Sequence, residues 1–432
     1  MLTILTGRAA SGKTTRLLAR MREAGAERPQ LLLVPEQASF ETERRFCAAC
    51  GDGASAYGEV LSFTRLESRL AGAGEVLDEG GRVLVLWAAL RSVRDVLTAY
   101  AMPSQRPEFL NGLLTTLDEL KSCCVSADDL VRIGEETEGL DGEKLRDLGL
   151  ILGAYEARTA RGPLDPRDRL TRLAERLRDH RYFLGKDVYL DGFTDFTPQQ
   201  GLVLEQILRQ AHSVTVALTS GDGSGEEEVF APAHRTAAWL RRLAAKAGRA
   251  VREEVQPGAA RGRPAPLAHL ERGLFAQEVP PYDGPWDGSV AVTAQPTRRD
   301  EVRWAAGTIR RLVRTEGLRW RDFAVCARSM DGYWDHIEGV FAAYGIPVFQ
   351  SEMSDILQKP IFTLLTAAMD AVSGGYRYED MFRYLKTGLA GVGPDECDRL
   401  ENYVLTWDIH GSRWTAASGW TRHPGGYHKT FT

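Results

Sequence analysis

The chain has 432 residues, 43% of them hydrophobic and 26% charged, with a formal net charge of −5. This length exceeds what one hydrophobic core serves, so two or three domains are expected, and the composition excludes a disordered chain or one that coats nucleic acid over its whole surface. The sequence contains no charged-then-apolar leader and no apolar run long enough for a bilayer, so a cytoplasmic protein with no membrane partner is expected.

Leu2 to Thr6 is a short apolar and β-branched run, a glycine-bounded loop follows, and Thr14 to Met21 has helical spacing. The loop reads Gly7-Arg8-Ala9-Ala10-Ser11-Gly12-Lys13-Thr14 and satisfies the pattern G-x-x-x-x-G-K-[ST] at every position. Each residue type has a physical reason. The glycines permit a tight turn that aims successive backbone N–H groups at one point, and the helix behind adds the positive end of its dipole. Lys13 can reach the β- and γ-phosphates of a nucleotide, and Thr14 can offer its hydroxyl to Mg²⁺. Chance would produce this pattern somewhere in the chain on the order of one time in a hundred, before the flanking strand and helix are counted. A nucleoside triphosphate is therefore the predicted ligand.

Leu31 to Val34, closed by Pro35, and Val60 to Phe63 are further buried-strand candidates. Strands that alternate with helices predict a parallel sheet with helices on both faces. Between the two runs, Cys47-x-x-Cys50 has metal or redox spacing, but it falls in a helical stretch without a second pair or a nearby histidine, so neither role is expected. From about Gly80 the pattern changes to long amphipathic helices, with Phe109, Leu113, Leu117 and Leu120 on one stripe and Leu148, Ile151, Leu152 and Tyr155 on another. Strand character resumes at Val188 to Leu190 and at Val214 to Leu218. Val255 to Gly288 is rich in Pro, Gly and Arg, as linkers are. Beyond it, Val290 to Val292 and Phe323 to Ala327 read as strands, separated by a helix face of Val302, Ala306, Ile309 and Val313. The closing residues carry no capped element, which predicts a second α/β unit that is cut short.

A phosphate loop of this kind works with a carboxylate at the end of a neighbouring strand, which holds Mg²⁺ through its water shell. Asp191, after Val188-Tyr189-Leu190, is that residue by placement. Asp195 lacks the strand-end position. In hydrolases of this type a glutamate follows the aspartate and polarises the attacking water; here Gly192 follows. Nucleotide binding without efficient hydrolysis is the reading this favours.

Taken together, Leu31 to Glu41 (LLLVPEQASFE), Val60 to Leu66 (VLSFTRL) and Leu190 to Gln200 (LDGFTDFTPQQ) resemble the AddB family, the second subunits of AddAB helicase-nucleases. Asp300 to Trp304, Phe323 to Arg328 and Leu400 to Tyr403 are similar to later segments of the same family. The resemblance implies a superfamily 1 helicase plan: an α/β P-loop NTPase fold with a RecA-like parallel sheet at 1–79 and 164–255, interrupted by a helical insertion at 80–163. A linker at 256–288 and a partial second RecA-like domain at 289–432 complete that plan. It further implies ATP and Mg²⁺ as cofactors, DNA (duplex ends and single strand) as substrate, an AddA-type helicase-nuclease subunit as partner, and a part in recombinational repair of double-strand breaks that includes recognition of a Chi-type sequence. Phe40, Phe63, Thr64 and Arg65 fall where single-stranded DNA crosses such motors, and Arg328 is the candidate phosphate contact from the second domain. The iron–sulfur cluster and nuclease of the family belong to a region beyond the segments matched here.

Departures from the family plan of active motors are equally informative. No glutamine precedes the first strand, Gly192 replaces the glutamate, and no arginine motif lies between Leu267 and Gly288. A degenerate motor with a scaffold role is expected, with an active superfamily 1 helicase as the alternative. A nucleotide kinase, which uses the same loop, is disfavoured by the hundred-residue insertion between the early strands and the magnesium strand.

Overall fold

In the computed structural model, which describes residues 1–51, 53–70, 75–102, 107–221, 227–257, 263–276, 278–279, 281–349 and 359–429, the apolar run at the start of the chain forms β1 (Leu2–Gly7). Two units are present, Met1–Ala291 and Val292–Thr432.

The first unit is built on six parallel strands in the order β3-β2-β4-β5-β1-β6. They are β1, β2 (Gln30–Leu33), β3 (Gly58–Leu61), β4 (Asp187–Leu190), β5 (Ser213–Thr219) and β6 (Val251–Val255). Successive side chains along a strand point to opposite faces, and here both faces are covered. Leu2, Ile4, Leu31, Leu33, Val188 and Leu190 pack on one side against α3 (Phe63–Leu70), α8 (Arg169–Asp179), α9 (Pro198–Gln210) and α10 (Glu227–Lys246). Leu5, Leu32, Val34, Tyr189 and Ala217 pack on the other against α1 (Lys13–Ala24) and α2 (Ser39–Cys50). The strand read as reaching Phe63 stops at Leu61, because Ser62 Oγ accepts the backbone N–H of Arg65 at 3.1 Å and starts α3.

Between α3 and α8 runs a helical block of α4 (Glu79–Val93), α5 (Pro107–Ser122), α6 (Ala127–Glu136) and α7 (Gly139–Thr159). It has its own core of Leu86, Leu90, Leu113, Leu117, Ile151 and Leu152. A buried charge cluster fastens its two ends together. Arg82 of α4 bonds Asp165 (Nε to Oδ1, 3.1 Å) and Asp118, while Lys121 of α5 bonds Asp165 (Nζ to Oδ2, 2.9 Å) and Asp168 (Oδ1, 2.8 Å).

The stretch read as linker contains a helix, α11 (Ala265–Gly273), started by Pro264 and Pro266 in its first turn. The second unit differs from its sequence reading. Val290 to Val292 and Phe323 to Ala327 belong to no strand ladder, and among the described residues the unit is made of helices α12 (Arg298–Glu316), α13 (Trp334–Tyr344), α14 (Pro360–Ser373), α15 (Tyr378–Leu385) and α16 (Pro394–Trp407). Apolar, β-branched runs favour extended backbone, but a strand exists only where a neighbour supplies hydrogen bonds, and none does there. No described helix is long and apolar enough to cross a membrane.

Candidate phosphate-binding site

The loop leaves the C-terminal end of β1 and closes on the first turn of α1. Gly7 is required by space: a Cβ would stand 2.7 Å from Ser11 Oγ and 2.9 Å from the carbonyl oxygen of Gln256. Gly12 has φ 95° and Ala10 φ 55°, both left-handed. Left-handed residues among right-handed ones turn successive N–H groups inward, which makes the concave donor surface an anion occupies. Ser11 N–H donates to the Arg8 carbonyl at 3.2 Å and tightens the turn.

Lys13 opens α1 and is buried. Its Nζ donates to the carbonyl oxygens of Gly7 and Arg8, each at 2.8 Å. Burial pushes its pKa below the ordinary lysine value, and the nearby charge of Asp191 pulls in the other direction. Thr14 Oγ1 donates to Asp191 Oδ2 at 2.6 Å, although the two lie 177 residues apart in sequence. Asp191 follows β4 directly, and its N–H donates to the Leu33 carbonyl at 3.0 Å. A hydroxyl and a carboxylate so placed are the oxygen ligands Mg²⁺ takes. Ser11 Oγ is buried without a hydrogen-bond partner, a polar atom that a bound anion's oxygens could satisfy. These residues fit a phosphate chain with its magnesium.

A cavity of about 600 Å³ opens above the loop. Among its lining residues the charged ones are Lys13, Arg45 and Asp191. Asp195 is exposed and is not among them. Gly192 has φ 80°, and a Cβ there would lie 3.3 Å from Pro35 Cδ. The side chain of Arg8 is engaged elsewhere: Nε meets Glu271 Oε1 at 3.1 Å and Nη2 donates to the Glu271 carbonyl at 3.0 Å. Arg263 lies 3.7 Å from the same carboxylate. The sequence reading missed Glu271, Arg263 and Arg45. Pro264 and Pro266 ahead of Leu267 and Leu270 were the available signal for α11; nothing local marked Arg45.

The four residues read as DNA contacts divide. Phe40 is 77% exposed, and Thr64 and Arg65 are exposed, with Arg65 Nη1 at 3.8 Å from Glu43 Oε2. Phe63 is buried, its ring edge-on to Phe193 with centroids 5.7 Å apart. A ring held in the core has no free face for a base, so a stacking role does not fit it. Arg328 belongs to the second unit, where it is exposed. Cys47 is exposed, Cys50 is half-buried, and among the described residues no group of His, Cys, Asp and Glu could hold a metal ion.

Residues 4–271 match the family model described as ADDB, N-terminal. The chain is similar to an ATP-dependent helicase/deoxyribonuclease subunit of Symbiobacterium thermophilum, 37% identical over 96% of this chain and 38% of that protein. It is likewise similar to the proteins of the same name from Heliobacterium modesticaldum, 35% identical over 97% of this chain and 36% of the relative, and Moorella thermoacetica, 37% identical over 97% and 38%. The chain thus spans less than two fifths of the length of these curated relatives.

Proposed function

The chain belongs to the AddB family, whose N-terminal domain its residues 4–271 match, and from that premise we propose that its first unit binds ATP and Mg²⁺ as part of a DNA helicase-nuclease complex but hydrolyses ATP poorly. The observation that carries binding is the Lys13 and Thr14–Asp191 arrangement inside the Gly7–Thr14 loop. The loop N–H groups and Lys13 would hold the phosphates, and Thr14 and Asp191 the magnesium. Bound magnesium supplies charge neutralisation at the terminal phosphates.

Poor hydrolysis is supported by Gly192. A water molecule needs a base or an orienting acceptor beside the magnesium aspartate, and this position carries no side chain. The name borne by the relatives, which makes each of them one subunit of an ATP-dependent helicase/deoxyribonuclease, supports DNA as substrate and a second subunit as partner. We extend this to processing of duplex ends for repair beside an AddA-type subunit, with a scaffold and Chi-recognition role. Phe40, Thr64 and Arg65 are the proposed single-strand contacts. The second reading, an active superfamily 1 motor, is favoured by the intact Thr14–Asp191 pair.

Nucleotide binding and DNA-stimulated phosphate release by the purified chain separate the two readings. The expected result is ATP binding that Lys13→Ala abolishes, with turnover that single-stranded DNA barely raises. Robust DNA-stimulated turnover that disappears in Lys13→Ala would establish the active motor instead.

A further inference from the structure

The cavity above the loop has a second wall, and it is made by α2. Ala38, just ahead of the helix, and Thr42 and Arg45 within it line this wall. Their spacing of four and three residues puts them on one helical stripe. The residues between point elsewhere: Phe46 is in the core, Phe40 is exposed, and Arg44 does not line the cavity. Arg45 is thus presented to the same space as Lys13 and Asp191.

The charges lining that space are uneven in a telling way. Lys13 sits at the floor, held by the loop carbonyls, and Asp191 is committed to Thr14. A diphosphate with its magnesium can be matched by these groups and the loop N–H donors. A triphosphate adds a terminal phosphoryl with further negative charge, and among the described residues lining the cavity Arg45 is the remaining cation. Its planar guanidinium can take two phosphate oxygens at once.

Arg45 is also easily released. Its Nε bonds Glu41 Oε1 at 3.0 Å, a pair exposed on one helix surface, where ion pairs are weak. Arg44 Nη2 holds the other oxygen of Glu41 at 2.7 Å, so Glu41 keeps a partner when Arg45 turns away. We propose that Arg45 contacts the terminal phosphate of a bound nucleoside triphosphate and sets the preference of this site for tri- over diphosphate. The inference rests on the nucleotide reading of the loop.

The test measures equilibrium binding of magnesium complexes of ADP and of the β,γ-imido analogue of ATP to the full chain. Wild type, Arg45→Ala, Arg45→Lys and Arg44→Ala are compared, with Lys13→Ala as reference and circular dichroism as the check of folding. Arg45→Ala is expected to weaken the triphosphate analogue about tenfold and to leave ADP within about twofold. Arg45→Lys should recover part of the loss, since it keeps the charge without the fork, and Arg44→Ala should match wild type. Unchanged analogue binding in Arg45→Ala, or an equal loss for both nucleotides, would overturn the proposal while leaving the nucleotide reading intact. Wild type that binds neither nucleotide would overturn both.

Discussion

At Gly192 the backbone has φ 80°, a conformation that costs an L-residue about 1–2 kcal/mol. A Cβ would also press on Pro35 at 3.3 Å, closer than ordinary contact. The missing glutamate is therefore a property of the backbone as much as of the residue. Gly192→Ala and Gly192→Glu are each expected to lower stability by about 1–2 kcal/mol in urea unfolding, and Gly192→Glu should gain no hydrolysis, because its carboxylate would start from a strained main chain. An unchanged unfolding midpoint in both variants would show that the turn accepts a side chain. At this scale the sequence was legible where function sits in consecutive residues: Gly12-Lys13-Thr14 can be read directly, and Asp191 from the apolar run before it. Glu271 could not be read that way. Its meeting with Arg8, 263 residues away, is created by the fold.

Elements were legible where periodicity is strong and a neighbour exists. β1, β2, β4 and β5 lie within about a residue or two of the apolar runs that predicted them. β6 was missed because its sequence, Val-Arg-Glu-Glu-Val, reads as polar. It is a largely exposed edge strand whose Glu254 pairs with Arg16 at 2.6 Å and Arg20 at 2.5 Å of α1. The runs at Val290 and Phe323 failed in the opposite way, being apolar enough but unpaired. The helical block depends on a feature no periodicity shows, the fully buried Asp165 between Arg82 and Lys121. Burial pushes the Asp165 carboxyl up, but the Lys121 hydrogen bond, the Arg167 N–H and the charges of Lys121 and Arg82 outweigh it and hold the pKa below the ordinary aspartate value. With the folded pKa depressed, the stability it contributes is complete above the unfolded pKa and is lost as pH falls through the folded one. Asp165→Ala leaves two buried cations short of a partner and should cost about 3–5 kcal/mol. Asp165→Asn should flatten the acid limb of a stability-against-pH curve measured by denaturant unfolding. An acid limb identical to wild type would remove Asp165 from the account.

On the scale of the molecule, the two units hold separate cores. The clusters around Val302, Ile337 and Phe341 and around Phe382, Val404 and Trp407 draw on the second unit alone. That unit also exposes Val292 and Phe349 almost fully and has an apolar cavity of about 940 Å³ lined by Trp320, Phe323, Val325, Trp334 and Phe341. Units with independent cores unfold as independent cooperative blocks, and the one with less buried apolar surface gives way first. The lining of the phosphate cavity runs from Ala9 to Ala233 and lies entirely in the first unit. A ligand stabilises the block that binds it, by about 2.7 kcal/mol at a hundred times its Kd, and does nothing for a block it does not touch. Calorimetry of the full chain should therefore show two transitions. Magnesium and ATP should raise the one that belongs to the first unit, leave the other in place, and lose that effect in Lys13→Ala. A single transition, or a nucleotide shift shared by both, would mean that the units are energetically one body, with the nucleotide's effect carried across the segment between α11 and α12.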